Sequence, residues 1–292
     1  MQPLLWEHRP DGLRAPALVC AFTGWNDAGD AASAALSFVG GALGATRFAR
    51  IDPEEFYDFQ ATRPKVRLDD EGRREIVWPA IEVFAARVPR APRDLVLLGG
   101  PEPSLRWRQF TQLIVDLTEA LGIQLVVSLG ALLADVPHTL PVHVSGSSSD
   151  AALTERLGLQ PTRYEGPTGI VGVLGAACAA QGIPTASLWA SVPHYVAAAP
   201  NPKAALALVR RLEGMVGVSV DASELESAAA DYERQVGLAV QADPDVQAFV
   251  ERLEQLAEDE RASEPEDIPS GERLASEFQR FLRQRGGEGR QG

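Results

Sequence analysis

The chain has 292 residues, 45% of them hydrophobic, enough for one large α/β domain with a smaller appendage. Its 40 acidic and 27 basic residues give a net charge of −13, and the excess is local: residues 213–267 hold 16 acidic and 3 basic side chains, while the rest balances. Such a block repels phosphate backbones and argues against nucleic acid as a partner, and no apolar run of about 18 residues marks a membrane span.

In chain order, residues 1–14 carry Glu7, His8, Arg9, Asp11 and Arg14 and lack the basic start and apolar centre of a signal peptide, so a cytoplasmic location is expected. Ala17 to Phe22 is a short apolar run that predicts a buried strand. Asn26 and Asp27 can cap the alanine-rich helix that follows to about Val39, which Gly40, Gly41 and Gly44 end. Thr46 to Ile51 predicts a second strand, and together these form a βαβ opening that implies a parallel pair. Val66 to Leu68, the turn Asp69 to Gly72, and Glu75 to Trp78 predict a hairpin, and Ala80 to Ala86 another strand. Leu95 to Leu98 predicts a central parallel strand buried on both faces. A helix from about Ser104 to Leu121 follows, with Trp107, Phe110, Ile114 and Leu117 at helical spacing.

Ile123 to Leu129 predicts a strand and Pro141 to Val144 a shorter one, with Ser145 to Ser149 as a loop. Helices are expected near residues 150–157, from Thr168 to about Ala180 and from Asn201-Pro202 to about Met215, with a strand at Thr185 to Val192. From Asp221 the alternation stops. Leu225, Ala229, Tyr232, Val236 and Val240 share one helical face, Asp243-Pro244 starts the next helix, and Val246, Phe249, Leu253 and Leu256 form its stripe. Residues 258–271 predict a charged loop, and Leu274, Phe278 and Phe281 a last helix. The expected division is an α/β body at residues 1–217, an acidic helical subdomain at 218–285 and a disordered tail at 286–292. The acidic segment reads either as a solvated helical face or as a docking surface for a basic partner.

Cys20 and Cys178 are the only cysteines. Each sits in an apolar stretch, which predicts two buried reduced thiols, with a disulfide or a catalytic thiol as the alternative. No cysteine and histidine spacing predicts a metal site. No Walker loop or G-x-S-x-G elbow occurs, the stretch from Gly24 to Asp30 is not a G-x-G-x-x-G fingerprint, and no cofactor is expected.

The densest polar stretch, Trp25-Asn26-Asp27-Ala28-Gly29-Asp30, falls between the first strand's carboxyl end and a helix. Ligands of open α/β sheets collect at such ends. Capping explains one aspartate. An interface or ligand-binding edge, or a catalytic role, would use both, with Trp25 and Asn26 beside them. Asp135 and His138 follow a buried strand and read as an acid–base couple or a loop-fixing hydrogen bond. Glu165 precedes Thr168, the expected N-cap of a helix whose Gly169, Gly172 and Gly175 suggest close packing. His194 and Tyr195 end another strand, and Glu102 is similarly placed.

The stretch GWNDAGDAA after an apolar strand resembles the proteasome assembly chaperone two family, in its actinobacterial branch. The likeness continues through YDFQATRP (Tyr57 to Pro64), VLLGGPEPSLRW (Val96 to Trp107), GALLADVPHTLPV (Gly130 to Val142), YEGPTGIVGVL (Tyr164 to Leu174) and WASVPHYVAAAPNPKA (Trp189 to Ala204), and covers about residues 15–215. The resemblance implies an α/β fold of the purine nucleoside phosphorylase type, with a parallel or mixed sheet flanked by helices. It also implies a homo-oligomer, a trimer first, with a proteasome-related client and no established cofactor. Some relatives end in a hydrophobic-Tyr-x tail that enters pockets of the proteasome ring. This chain ends Gly289-Arg290-Gln291-Gly292, so docking by that route is not expected.

Two functions are therefore open: an assembly or interaction protein without turnover, or a small-molecule binder or enzyme using a cleft at the strand carboxyl ends. Convergence of Trp25, Asn26, Asp27, Asp30, Glu102, Asp135, His138, Glu165, Thr168, His194 and Tyr195 on one enclosed pocket would favour the second.

Overall fold

The computed structural model describes residues 3–157, 159, 165–196 and 199–263. Among these, eight strands form one mixed sheet in the order β1 (Leu4–Trp6), β3 (Thr46–Ile51), β6 (Ile81–Ala86), β7 (Leu95–Pro101), β2 (Ala17–Thr23), β8 (Leu125–Ala134), β10 (Thr185–Pro193) and β9 (Val144–Ser148). Strands β7, β2, β8 and β10 run parallel, and the pairs toward both edges are antiparallel. Strands β4 (Lys65–Leu68) and β5 (Arg74–Val77) form a separate two-stranded ribbon, as their flanking residues predicted.

The run ALVCAF lacks alternation because both faces of β2 are covered. Ala17, Val19 and Ala21 join the apolar layer beneath helices α1 (Ala31–Ala42) and α5 (Pro202–Val216). Leu18, Cys20 and Phe22 join the opposite layer, beneath α2 (Trp107–Leu121) and α4 (Ile170–Ala180). Phe110 of α2 stands edge-on to both Phe22 and Phe56, with ring centres 6.0 and 5.4 Å away. Each such buried ring contributes about 1.5–3 kcal/mol. Cys20 and Cys178 are free and buried in this layer, and burial pushes the Cys178 thiol up to about 11. Two further helices, α6 (Ser223–Gln241) and α7 (Pro244–Ser263), complete the helical C-terminal part; a short one, α3 (Ala151–Leu157), follows β9. Among the described residues, no helix is long and apolar enough to cross a membrane.

Three expectations need correction. Strands β2 and β3 are not a parallel pair: β6 and β7 lie between them, because the antiparallel run β3–β6–β7 folds back and seats β7 against β2. The serine-rich stretch is not a loop. Its residues build β9 on the antiparallel edge of β10, where the Ser147 and Ser187 hydroxyls pair at 2.9 Å. Residues 258–263 continue α7 rather than opening a loop, and the expected helix at Leu274 to Phe281 and tail at 286–292 lie outside the described residues.

Candidate functional site

Beyond β2 the chain makes a single 3-10 turn at Ala28–Asp30 before α1 begins. Gly29 permits it, with φ +60, and it passes close to Asn201, whose amide donates to the Gly29 carbonyl at 2.7 Å. Asp27 caps α1 across this turn: its Oδ1 accepts from the amides of Ala32 (2.7 Å) and Ser33 (3.2 Å). Asp30 occupies the N-cap position with a left-handed backbone, exposed and without a capping hydrogen bond from its side chain. The capping work therefore falls on one aspartate. Burial raises the Asp27 carboxyl above the ordinary range, against the lowering effect of the helix amides, and its Oδ2 is buried without a partner.

Asn26 is 1% exposed and joins three segments. Its carbonyl accepts from Ala131 of β8 at 2.9 Å, and its Nδ2 donates to Glu102 Oε1 at 2.8 Å. That same Oε1 accepts the amide of Ile170 at 2.8 Å, so Glu102 caps α4. Thr168 does not take the expected capping role; its hydroxyl instead lies over Gly172. Gly169 matters by contact, since a Cβ there would stand 2.5 Å from the Asn26 amide and 2.8 Å from Glu102 Oε1. Gly175 faces open space, so the glycine repeat does not share one packing role. Glu165 and Thr168 are exposed, and Trp25 is 68% exposed.

A second polar group lies at the ends of β8 and β10. Asp135 Oδ1 lies 2.9 Å from His194 Nδ1 at the surface, so it is not the partner of His138. His138 is 4% exposed and works with Tyr195. The Tyr195 hydroxyl accepts from the His138 amide at 2.7 Å and lies 2.9 Å from its ring Nδ1. Lys203, in the first turn of α5, donates to the His138 carbonyl at 2.5 Å and pairs with Glu233 of α6. Thr139 bonds Glu254 of α7. These contacts clamp residues 138–139 against three helices, and Phe249 stands edge-on to both His194 and Tyr195. Burial, then the nearby Lys203 charge, holds the His138 ring below its ordinary pKa.

A cavity of about 440 Å³ opens beside this group, walled by Pro137, His138, Leu140, Pro193, Lys203 and Tyr232 among others. Of the eleven residues singled out in the sequence, only His138 lines it. The eleven therefore do not converge: Asn26, Asp27 and Glu102 lock elements together, His138 and Tyr195 form a separate pair, and the others stand at the surface. Sequence reasoning missed Lys203, Tyr232, Glu233 and Glu254, which sit on amphipathic helices where a tyrosine in an apolar stripe reads as core.

Residues 21–240 match the family model for the PAC2 family. The chain belongs to the PAC2 family. This PAC2 chain is 50% identical to a PAC2 family protein from Streptomyces avermitilis, over 80% of this chain and 99% of that one, with a TM-score of 0.75. It is 45% identical to a proteasome-assembly chaperone homologue of Mycobacterium tuberculosis, again over 80% and 99%, with a TM-score of 0.74. The Pyrococcus furiosus proteasome activator PbaB shares the fold at 17% identity, over 81% and 97%, with a TM-score of 0.65. No curated protein matches the PAC2 chain.

Proposed function

We propose that this PAC2 chain is a cytoplasmic, proteasome-related assembly or interaction protein that works as a homo-oligomer, with a trimer the favoured state. One observation carries the reading: several large apolar side chains are exposed at the carboxyl ends of the parallel strands. Trp25, Leu105, Leu132 and Leu133 stand at or just beyond the ends of β2, β7 and β8, with Leu133 60% exposed. The β4–β5 ribbon adds Val66 and Ile76, paired across one face, with Leu68 and Trp78 also exposed. A two-stranded ribbon is marginally stable by itself, and gathered exposed apolar surface marks protein contacts. The 45% identical relative described as a proteasome-assembly chaperone homologue supports the choice of client.

The same reading treats residues 218–285 as a separable acidic part, which offers a basic partner a surface of its own. The aspartates and glutamates of α6 and α7 are largely exposed, and Gly217 ends α5 with a left-handed cap.

Capture from the native host with proteasome subunits monitored, together with sedimentation equilibrium at micromolar concentration, tests the proposal. A larger-than-monomer species that Trp25→Glu with Leu133→Glu reduces to a folded monomer is expected. A parent that sediments only as monomer and retains no proteasome subunit would sink it.

A further inference from the structure

We propose that the β4–β5 ribbon of one copy docks over the carboxyl ends of β2, β7 and β8 in a second copy of this chain. The inference rests on the proposed homo-oligomer and names the two surfaces that meet in it.

The ribbon stands clear of the body, with every residue of β4 and β5 exposed. Its register pairs Val66 with Ile76 and Leu68 with Arg74, and Trp78 continues that face two residues beyond Ile76. Four large apolar side chains and one arginine therefore share one face, and the four are 48–67% exposed. At the root, Phe59 stands edge-on to Trp78 with ring centres 4.9 Å apart. A two-stranded ribbon gains stability by packing its apolar face on something else.

Charge sets what that face can meet. Arg67 pairs with Glu75, and Arg73 with Asp69 and Glu71, which leaves Arg74 without a carboxylate. Two ribbons laid face to face would bring two such arginines into an apolar contact with no counter-charge. The complement is instead an apolar surface bordered by carboxylates.

The same chain carries that surface. The Glu102 amide donates to the Thr23 carbonyl, the Ala131 amide donates to the Asn26 carbonyl, and Glu102 Oε1 caps α4. The ends of β7, β2 and β8 and the start of α4 are thus tied together. At these ends Trp25, Leu105, Leu132 and Leu133 are exposed. The last bridge from the β2 side to β8 is Asp27 to Ala131, so among the described strands Leu132 and Leu133 have β10 alone beside them. Asp30, Asp135 and Glu165 are exposed at the same ends, and Arg106, the neighbour of Leu105, is held by Glu55. Apolar side chains would cover apolar ones, and Arg74 would meet a carboxylate.

The ribbon leaves after β3 and returns at β6, whose start lies beside the carboxyl end of β7. Arm and receiving edge therefore lie on one side of the sheet, yet both stay exposed in a single chain. Exchange between copies fills both. Contact between two different surfaces closes as a ring when the rotation permits.

Sedimentation equilibrium of the full chain at micromolar concentration provides the test. The arm variant is Leu68→Glu with Ile76→Glu, and the edge variant is Trp25→Glu with Leu133→Glu. All four positions are exposed, so both variants should melt as the parent does. Each alone should sediment as a monomer. Mixed one to one, they should form a heterodimer and nothing larger, because one intact arm then meets one intact edge. Arg74→Glu in the parent should weaken association at least about tenfold, since like charges would then face each other. A monomeric parent would end the homo-oligomeric reading and this inference with it. An oligomeric parent whose arm variant keeps the parent's size overturns this inference alone. A mixture that stays monomeric, or an edge variant that still self-associates, overturns the pairing of arm with edge.

Discussion

Around Asn26, polar side chains from three segments close directly on one another: the amide meets a carboxylate, the carboxylate meets a helix N-terminus, and a glycine passes where a side chain would collide. Around His138, similar groups hold residues 138–139 against three helices and leave a cavity between them. Both groups stand at strand carboxyl ends. The difference lies in what covers them. Helix α4 begins directly above Glu102 and seals that corner, whereas α6 and α7 reach His138 from the C-terminal part and meet it through long side chains. Position at a strand end therefore does not decide whether a polar cluster closes on itself; the element that caps it does.

The largest expected effect would break the closed corner. Gly169→Ala places a methyl 2.5 Å from the Asn26 amide, and overpacking of this kind costs about 3 kcal/mol. Glu102→Ala leaves the Asn26 and Ile170 donors unpaired and should cost about 2–3 kcal/mol, while Glu102→Gln, which keeps an acceptor, should cost less. Urea unfolding of the three variants checks the order; equal losses for Gln and Ala would show that the acceptor is not what matters.

A smaller effect is expected on the open side. Tyr195→Phe loses the hydroxyl that accepts from the His138 amide and faces Nδ1, at about 1–2 kcal/mol. A loss equal to that of Glu102→Ala would erase the contrast between the two corners.

Acidity sharpens the comparison further. The His138 pKa in the folded chain lies below its ordinary 6.5, so the folded state prefers the neutral ring. Its contribution is fully present above about pH 6.5 and is lost as pH falls through the folded value. Lys203, Glu233 and Glu254 are the charges it faces. The drop in melting temperature from about pH 7.5 to 5 should be smaller in His138→Gln than in the parent; identical drops would assign the acid sensitivity elsewhere.

The smallest effect concerns the aspartates of the first turn. Asp27 has a raised folded pKa, so its contribution to stability is greatest below its ordinary value and is lost as pH rises through the folded one. At neutral pH the ionised form is thus held at some cost, and an asparagine can still accept from Ala32 and Ser33. Asp27→Asn with Asp30→Asn should change stability by less than about 1 kcal/mol. A large loss in thermal melts would mean that the Asp27 charge itself holds the turn.

Much of the fold was legible because its signals are local. The unbroken run from Ala17 to Phe22 announced a strand covered on both faces, Asn201-Pro202 started α5 with the Asn201 side chain capping Ala204, and Asp243-Pro244 started α7. Strand order was not legible, since the placement of β7 beside β2 depends on how an antiparallel run folds back rather than on any residue in β2 or β3. Serines 145, 147 and 148 read as loop because their propensity is weak, yet an edge position beside β10 supplied the pairing they lack alone. The candidate residues were found one by one, but their partners were not: Asp135 took His194 instead of His138, and Glu102 took the helix cap expected of Thr168. Such choices are made across dozens of residues, where spacing carries no information.

The central position of β2 has a consequence for how the chain is made. This strand leaves the ribosome before both of its neighbours, β7 and β8, and the far side of β8 waits for β10. Its apolar faces are closed by α1 and α5 on one side and by α2 and α4 on the other. This apolar segment thus stays uncovered until its later neighbours are made, and non-local pairings of this kind form slowly because long loops must close first. Transiently exposed apolar surface of this kind is prone to aggregation, so a chain proposed to assist the assembly of others has a late-closing sheet of its own to protect.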